Sequence, residues 1–186
     1  MLTPPTVNWL TFEMRARREW LDFPKEQRGV QILSYLVDPA FDDPSVWRLH
    51  IRYGSTEIGT LPPIEKAFWL KRTWKRTIDF ERYKKHEDLQ PVARPRYLES
   101  LTPTIESIEQ VLDPEKVNTE LRAIQGLRLP PMVAWDGMVT ADGVTYTVTL
   151  ENFQTSTVFR WNSDRPAEWV ELRKQVETLL GLPSSV

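Results

Sequence analysis

The chain of 186 residues contains no cysteine, and histidine occurs only as His50 and His86. Without thiols, the chain cannot form disulfides, use a thiolate nucleophile or hold iron–sulfur clusters. No second histidine lies at a metal-ligand spacing from His86. We interpret His50 as an outward-facing strand residue between Arg48 and Arg52, whose charges disfavour its protonation. We therefore expect no metal site and no histidine-based catalysis.

Glycine is also scarce, with seven scattered residues. Neither the phosphate-loop pattern nor the dinucleotide-binding fingerprint occurs, and no Gly-x-Ser-x-Gly motif is present. Because these motifs build the commonest nucleotide and nucleophile sites, we expect no cofactor and a protein that is not an enzyme.

Long apolar runs are missing as well. No stretch approaches the ~18 apolar residues that suggest a membrane span, and the N-terminus lacks the basic start and apolar run of a secretory signal. The formal net charge of −2 gives no general attraction to nucleic acid or anionic membranes. We expect a cytoplasmic protein without a membrane partner.

The residues that are present suffice for a folded core. At this length and with 40% hydrophobic residues, the chain can bury a core without disulfides or metal. We predict a single domain over residues 1–186. Residues 1–86 and 130–186 are possible sub-units of it, joined by a helical and proline-rich middle over 87–129.

β-Forming residues predict a strand over 29–37, and apolar alternation predicts one over 46–53. An antiparallel meander is predicted with strands over 132–135, 138–140, 144–150 and 157–161. Asp136-Gly137 is a turn signal between the first two strands of this meander, and Asp142-Gly143 is a turn signal before its third strand. We also predict a strand up to about Arg15. The alternative for this N-terminal segment is a helix with one face formed by Leu10, Met14, Arg17, Arg18 and Leu21.

Helices are predicted from their start signals. Thr102-Pro103 and Asp113-Pro114 each place a side-chain oxygen before a proline, which favours a helix start. The first of these short helices carries Ile105, Ile108 and Leu112. A last helix begins near Pro166 and ends at Gly181, and residues 87–101 form an ordered connector. Strands, helices, strands and a helix in this order indicate an α+β fold.

The segment from Pro63 to His86 is predicted to be one long central helix with two non-polar sides. One side is apolar: Ile64, Ala67, Phe68, Leu70, Trp74 and Ile78. The other side mixes aromatic residues with arginines: Trp69, Arg72, Arg76, Phe80 and Tyr83. Aromatic residues and arginine are enriched where proteins bind partners. We therefore predict that this second side binds an unidentified partner protein, as in a small bacterial adaptor, immunity or inhibitor-like protein.

Three alternatives stay open. In the first alternative, the second side of the helix is buried beneath the connector 87–101 and has no binding role. Alternatively, the basic helix over 66–85 and the strand face with Arg48 and Arg52 bind nucleic acid through phosphates. The third alternative is a metal-dependent hydrolase.

The carboxylates available for that hydrolase are scattered. Asp42, Asp43 and Asp136 are the candidates, because carboxylate oxygens bind Mg²⁺ and assist hydrolysis. Each of them also occupies a position where turns favour aspartate. The oligomeric state is left open by the sequence.

Overall fold

The computed structural model describes residues 8–23, 29–55, 62–127, 143–151, 155–162 and 167–183. Within them the fold is α+β, as the sequence predicts, with a six-stranded antiparallel sheet and five α-helices. The strands are β1 (Val30–Pro39), β2 (Ser45–Tyr53), β3 (Ile64–Trp74), β4 (Ile105–Leu112), β5 (Val144–Glu151) and β6 (Ser156–Asn162). The helices are α1 (Trp9–Leu21), α2 (Arg76–Lys84), α3 (Arg94–Ser100), α4 (Pro114–Gly126) and α5 (Ala167–Leu179), with a 3₁₀ helix at Lys85–Asp88.

The strand order in the sheet is β4-β3-β2-β1-β5-β6. Because β1 pairs with both β2 and β5, strands from the two ends of the chain belong to one sheet. Residues of α4 and α5 pack on one face, which we call the α5 face. Residues of α1 and α3 pack on the opposite face, which we call the α1 face. The division into one domain with two sub-units stays a prediction.

The α5 face holds the larger core. Alternate strand residues such as Leu33 and Leu49 are fully buried there against Leu172 and Val176 of α5. The strands predicted for β1, β2, β5 and β6 are confirmed, and successive side chains point to opposite faces. In β2 the other face is covered too, because Val46 and His50 are also buried. Gly181 follows α5 with φ 68°, a left-handed conformation that favours glycine at a helix end.

A polar network crosses this core. The hydroxyl of Tyr35 donates to Glu177 Oε1 at 3.0 Å, and Arg173 Nη1 donates to the Tyr146 hydroxyl at 3.0 Å. Arg173 and Glu177 also form an ion pair within α5. Burial, together with the Glu177 carboxylate, raises the pKa of Tyr35 far above its ordinary range. The folded protein therefore keeps the Tyr35 proton at a pH where the unfolded chain loses it.

This difference predicts an alkaline limit to stability. Above about pH 10, the ordinary pKa of tyrosine, the unfolded chain releases the Tyr35 proton and the folded protein does not. The free energy of unfolding must then fall as pH rises, by up to about 1.4 kcal/mol per pH unit for this one group. Urea unfolding at several pH values checks this. The stability advantage of the wild type over Tyr35→Phe should shrink above pH ~10, and parallel pH profiles for the two proteins would contradict the assignment.

The predicted long helix over 63–86 is wrong. Residues 64–74 form β3, between β2 and β4, and α2 begins only at Arg76. Ala67, Phe68 and Trp69 are buried consecutively, so β3 is covered on both faces. A strand buried on both sides has a continuous apolar run instead of a clean alternation. In this run, apolar residues also recur at helical spacing.

The predicted N-terminal strand is also wrong, and the helical alternative is correct. Asn8 caps α1 by accepting a hydrogen bond from the Thr11 backbone N–H at 2.9 Å. Phe12, Ala16 and Trp20 are buried at a spacing of four residues, which places them on one side of the helix.

The middle of the chain differs from prediction in two further places. Residues 105–112 form β4 instead of a helix, and the connector 87–101 contains α3. As the outermost strand beside β3, β4 buries few side chains, so its apolar residues need not alternate. The helix predicted at Asp113-Pro114 is confirmed as α4, and Asp113 accepts from the Glu115 backbone N–H. The predicted turn at Asp136-Gly137 and the strands on either side of it lie outside the described residues. Of the second predicted turn, Asp142 lies outside them as well.

Candidate partner-binding surface

Trp69, the first predicted binding residue, lies in the core of the α5 face. Its side chain is buried, and its indole N–H donates to the Leu180 backbone oxygen at 2.8 Å. Leu180 follows directly after α5. Trp69 therefore fixes the end of α5 to the middle of the sheet.

Arg72 and Arg76 make internal contacts on the opposite side of the sheet. Arg72 Nη1 donates to the Asp22 backbone oxygen at 2.5 Å, and its guanidinium lies over the Phe23 ring. Burial lowers the pKa of Arg72, although the nearby carboxylates of Asp22 and Glu19 act in the opposite direction. Arg76 is buried and donates to the backbone oxygens of Pro39 and Asp42. These arginines hold loops and α1 in place.

Phe80 and Tyr83 lie together beside the first turn of α1. The Trp9 ring lies 4.9 Å from the Phe80 ring and 5.5 Å from the Tyr83 ring, both edge to face. Phe80 remains partly exposed, and Lys84 Nζ lies 4.5 Å from the centre of its ring.

The five predicted residues therefore do not form one surface, because Trp69 is on the α5 face while Phe80 and Tyr83 adjoin α1. The geometric premise of a shared helix side is wrong. A binding role for the individual residues stays a prediction.

The arginines of β2 are also engaged. Arg48 Nη2 donates to the Leu21 backbone oxygen at 2.9 Å, and its guanidinium lies over the Phe23 ring. The pKa of Arg48 is lowered mainly by burial, and repulsion from Arg72 lowers it further. Arg52 pairs with Glu65 at 2.9 Å. Arg48 and Arg52, which were predicted to bind phosphates, therefore make contacts within the chain.

His50 does not face outward as we expected. Its ring is buried and stacks on the Phe68 ring, with a centroid distance of 5.3 Å and an interplanar angle of 9°. Phe68 is the β3 residue directly opposite His50 in the sheet. Packing between neighbouring strands explains the position of this histidine.

Of the aspartates predicted for hydrolysis, Asp43 has a local role at the start of α2. Asp42 is exposed. Asp43 accepts hydrogen bonds from the Thr77 backbone N–H at 3.0 Å and the Thr77 hydroxyl at 2.9 Å. The contact occurs in the first turn of α2, where backbone N–H groups need acceptors. Asp136 lies outside the described residues. Within the described ranges, no group of three or more potential metal ligands occurs.

A charged cleft of about 280 Å³ opens between α1 and the adjoining ends of β1, β5 and β6. Arg17 Nη1 donates to Asp38 Oδ2 at 2.6 Å, and Arg76 lies 3.9 Å from Glu13 and 3.7 Å from Asp38. Burial lowers the pKa of Arg17, but the hydrogen bond and charge of Asp38 outweigh it and leave the pKa raised. The two arginines and two carboxylates neutralise each other. Their ion pairs connect α1 with the end of β1.

Helix α1 has an exposed apolar surface that is not among the predicted binding residues. Leu10 and Met14 expose 62% and 63% of their surface, and Leu21 is exposed too. The three recur at helical spacing on one side of α1, roughly opposite Phe12 and Ala16 in the core. We call this side the α1 flank. The sequence pattern that could have revealed this surface is the helical alternative for the N-terminal segment, which places Leu10, Met14 and Leu21 on one face.

In the part of the chain that the structure describes, the α1 side of β5 and β6 is sparsely covered. Among described residues, the apolar cluster of the α1 face contains none from β5 or β6. Val158 and Arg160 of β6 are exposed, and Thr147 and Thr149 of β5 are half-buried. The charged cleft connects this surface with α1, because its lining includes Arg17 and Asn162.

Comparison of the chain with protein-family models, with curated proteins and with solved structures finds no match. In the part of the chain that the structure describes, no helix has the length and apolar character needed to cross a membrane.

Proposed function

We propose that this protein is a non-enzymatic protein-interaction module that binds its partner through the α1 flank. The observation that carries the proposal is the exposure of three aliphatic side chains, Leu10, Met14 and Leu21, along one helix. Isolated exposed apolar residues are ordinary, but a contiguous exposed patch with polar surroundings marks interaction surfaces.

The composition of the flank favours a protein over a small ligand. Leucine and methionine are long and flexible, and methionine is frequent at surfaces that bind several protein partners. An amphipathic helix binds such a stripe through apolar residues at matching spacing. The neighbouring cleft is too polar to bury an apolar ligand, since Glu13, Arg17, Asp38 and Arg76 line it.

The surroundings of the flank define the chemistry of the partner. Arg18 is exposed on the same helix, and Arg160 is exposed on β6. A partner segment with an apolar stripe and acidic residues at its edges would match both features. Small bacterial adaptors, immunity proteins and inhibitors work by binding of this kind, and a cytoplasmic location belongs to the same proposal.

The other functions have weaker support. For nucleic-acid binding, the basic residues expected to act together make separate contacts, such as Lys75 with Glu106 at 3.0 Å and Arg52 with Glu65. For metal-dependent hydrolysis, Asp43 serves the start of α2.

The experiment is affinity purification from the native cell with a double variant of the flank. Leu10→Glu with Met14→Glu should raise the dissociation constant of the specific partner at least about thirtyfold, the equivalent of ~2 kcal/mol at an interface hot spot, and so deplete it from the purified fraction. Both side chains are exposed in the free protein, so the thermal melting temperature should change little.

The control is Ile78→Glu, the same kind of substitution at one exposed apolar position of another helix, α2. Partner recovery should stay at the wild-type level. The proposal fails if the double variant retains every partner, or if Ile78→Glu removes the same ones.

A further inference from the structure

β4 is the last strand at one side of the sheet. No strand of the described residues lies beside its outer edge. It pairs with β3 from Ile105 to Leu112 without a register shift and contains neither proline nor glycine. Ile108 and Val111 expose 54% and 74% of their surface. A long, regular edge strand with apolar residues is a template for pairing with another strand.

We propose that β4 pairs antiparallel with β4 of a second copy of this chain, around a two-fold axis at Ile108. A two-fold axis perpendicular to the sheet keeps each face of one copy level with the same face of the other. Paired residues must therefore belong to the same face, so the axis passes beside a residue of β4. The two six-stranded sheets then join into one continuous sheet.

The side chains of β4 complement themselves in this register. Ile108 packs against Ile108 of the second copy. The remaining pairs are Ile105 with Val111, Glu106 with Gln110, and Ser107 with Glu109. Apolar residues therefore oppose apolar residues, and each carboxylate opposes a side chain that can donate a hydrogen bond. No two carboxylates lie directly opposite each other.

The neighbouring registers lack this complementarity. An axis at Glu109 places two carboxylates directly opposite each other, which destabilises a strand pair. An axis at Ser107 pairs Ile108 with Glu106 and leaves Val111 without an opposing residue of β4. The register at Ile108 combines the longest apolar contact with the absence of charge repulsion.

Self-pairing at β4 does not depend on partner binding at the α1 flank. Helix α1 packs on the face of the sheet, with its Trp20 indole donating to the Arg72 backbone oxygen of β3, whereas self-pairing uses the outer edge of β4.

Multi-angle light scattering over a range of protein concentrations tests the self-association. The mass should rise from one chain toward two, with a dissociation constant on the order of 10–100 µM, because a single edge contact buries less than a standard interface. Ile108→Lys should raise the dissociation constant at least about tenfold, since it places two ammonium groups at the axis. A mass of one chain at every concentration of the wild type would overturn the proposal.

Single-cysteine variants test the register, because the chain has no cysteine of its own. Ile108→Cys should form a disulfide-linked dimer on mild oxidation, since directly opposed Cβ atoms of paired strands lie about 5 Å apart. Val111→Cys should not, because the two copies of position 111 are six residues out of alignment, about 20 Å. Val158→Cys on β6, the opposite edge, is the second control. Equal cross-linking of Val111→Cys and Ile108→Cys would overturn the register.

Discussion

Trp69→Ala is expected to lower the free energy of unfolding by about 3–5 kcal/mol, the range for large aromatic residues removed from a core. The indole is buried in the α5 face, so truncation leaves a cavity beneath α5. It also leaves the Leu180 oxygen without the indole N–H that donates to it at 2.8 Å. Urea unfolding followed by tryptophan fluorescence and circular dichroism measures the change.

Two comparisons make this result specific. Trp69→Phe keeps much of the apolar volume and removes the N–H, so it should cost less, about 1–3 kcal/mol. Leu10→Ala, at an exposed position, should stay within about 0.5 kcal/mol of the wild type. A loss below ~0.5 kcal/mol for Trp69→Ala would contradict the burial of β3 and restore the exposed helix side predicted from the sequence.

Asp79→Ala is expected to destabilise the protein by about 2–4 kcal/mol, because buried hydrogen-bond donors lose a charged acceptor. The Asp79 carboxylate is buried at the start of α2 and accepts four hydrogen bonds. The donors are Trp74 Nε1 at 2.8 Å, the Thr104 backbone N–H at 2.8 Å, the Thr104 hydroxyl at 2.7 Å and Arg82 Nη1 at 3.0 Å. Removing it leaves Trp74 Nε1 and the Thr104 backbone N–H without their acceptor, whereas Arg82 still donates to the Thr102 oxygen.

Glu81→Ala on the same helix is the matched control. Glu81 is exposed and pairs only loosely with Lys84 at 3.3 Å, so its loss should cost less than about 1 kcal/mol. Chemical denaturation of both variants separates the two roles. Similar stabilities for Asp79→Ala and Glu81→Ala would show that the carboxylate does not join α2 to the segment before β4.

The sequence predicts the fold class and the elements whose burial is one-sided. The strand around Val148 alternates because its one face packs on the α5 core while the next residue faces the other way. Asp113 and Gly181 mark helix ends through local backbone chemistry, a side-chain cap and a left-handed glycine. These signals need no knowledge of distant parts of the chain.

The misassigned elements depend on tertiary contacts. Trp69 is buried because Leu180, more than a hundred residues later, packs against it, and Phe68 is buried on the opposite side beside His50. With both sides of β3 covered, the pattern loses the alternation that distinguishes a strand. Ile108 of β4 is exposed at the sheet edge, so its spacing from Ile105 carries no information about a helix.

The candidate site depends on the same information. Arginines and aromatics at residues 69–83 have interface-like composition, yet Arg72 and Arg76 bind backbone oxygens of distant loops. The apolar spacing of Leu10, Met14 and Leu21 was visible in the sequence. Only the packing of Phe12 and Trp20 beneath α1 distinguishes the exposed side of this helix from the buried one.

Site-specific photo-cross-linking tests the central claim, that a protein partner binds on the α1 flank, most directly. The photoreactive residue p-benzoylphenylalanine is placed at position 14 in one protein and at position 78 in another, and both are irradiated in the native cell. We predict a covalent adduct with one specific protein from Met14→p-benzoylphenylalanine and none of that adduct from Ile78→p-benzoylphenylalanine. The same adducts from both positions, or no specific adduct from position 14, would contradict the account.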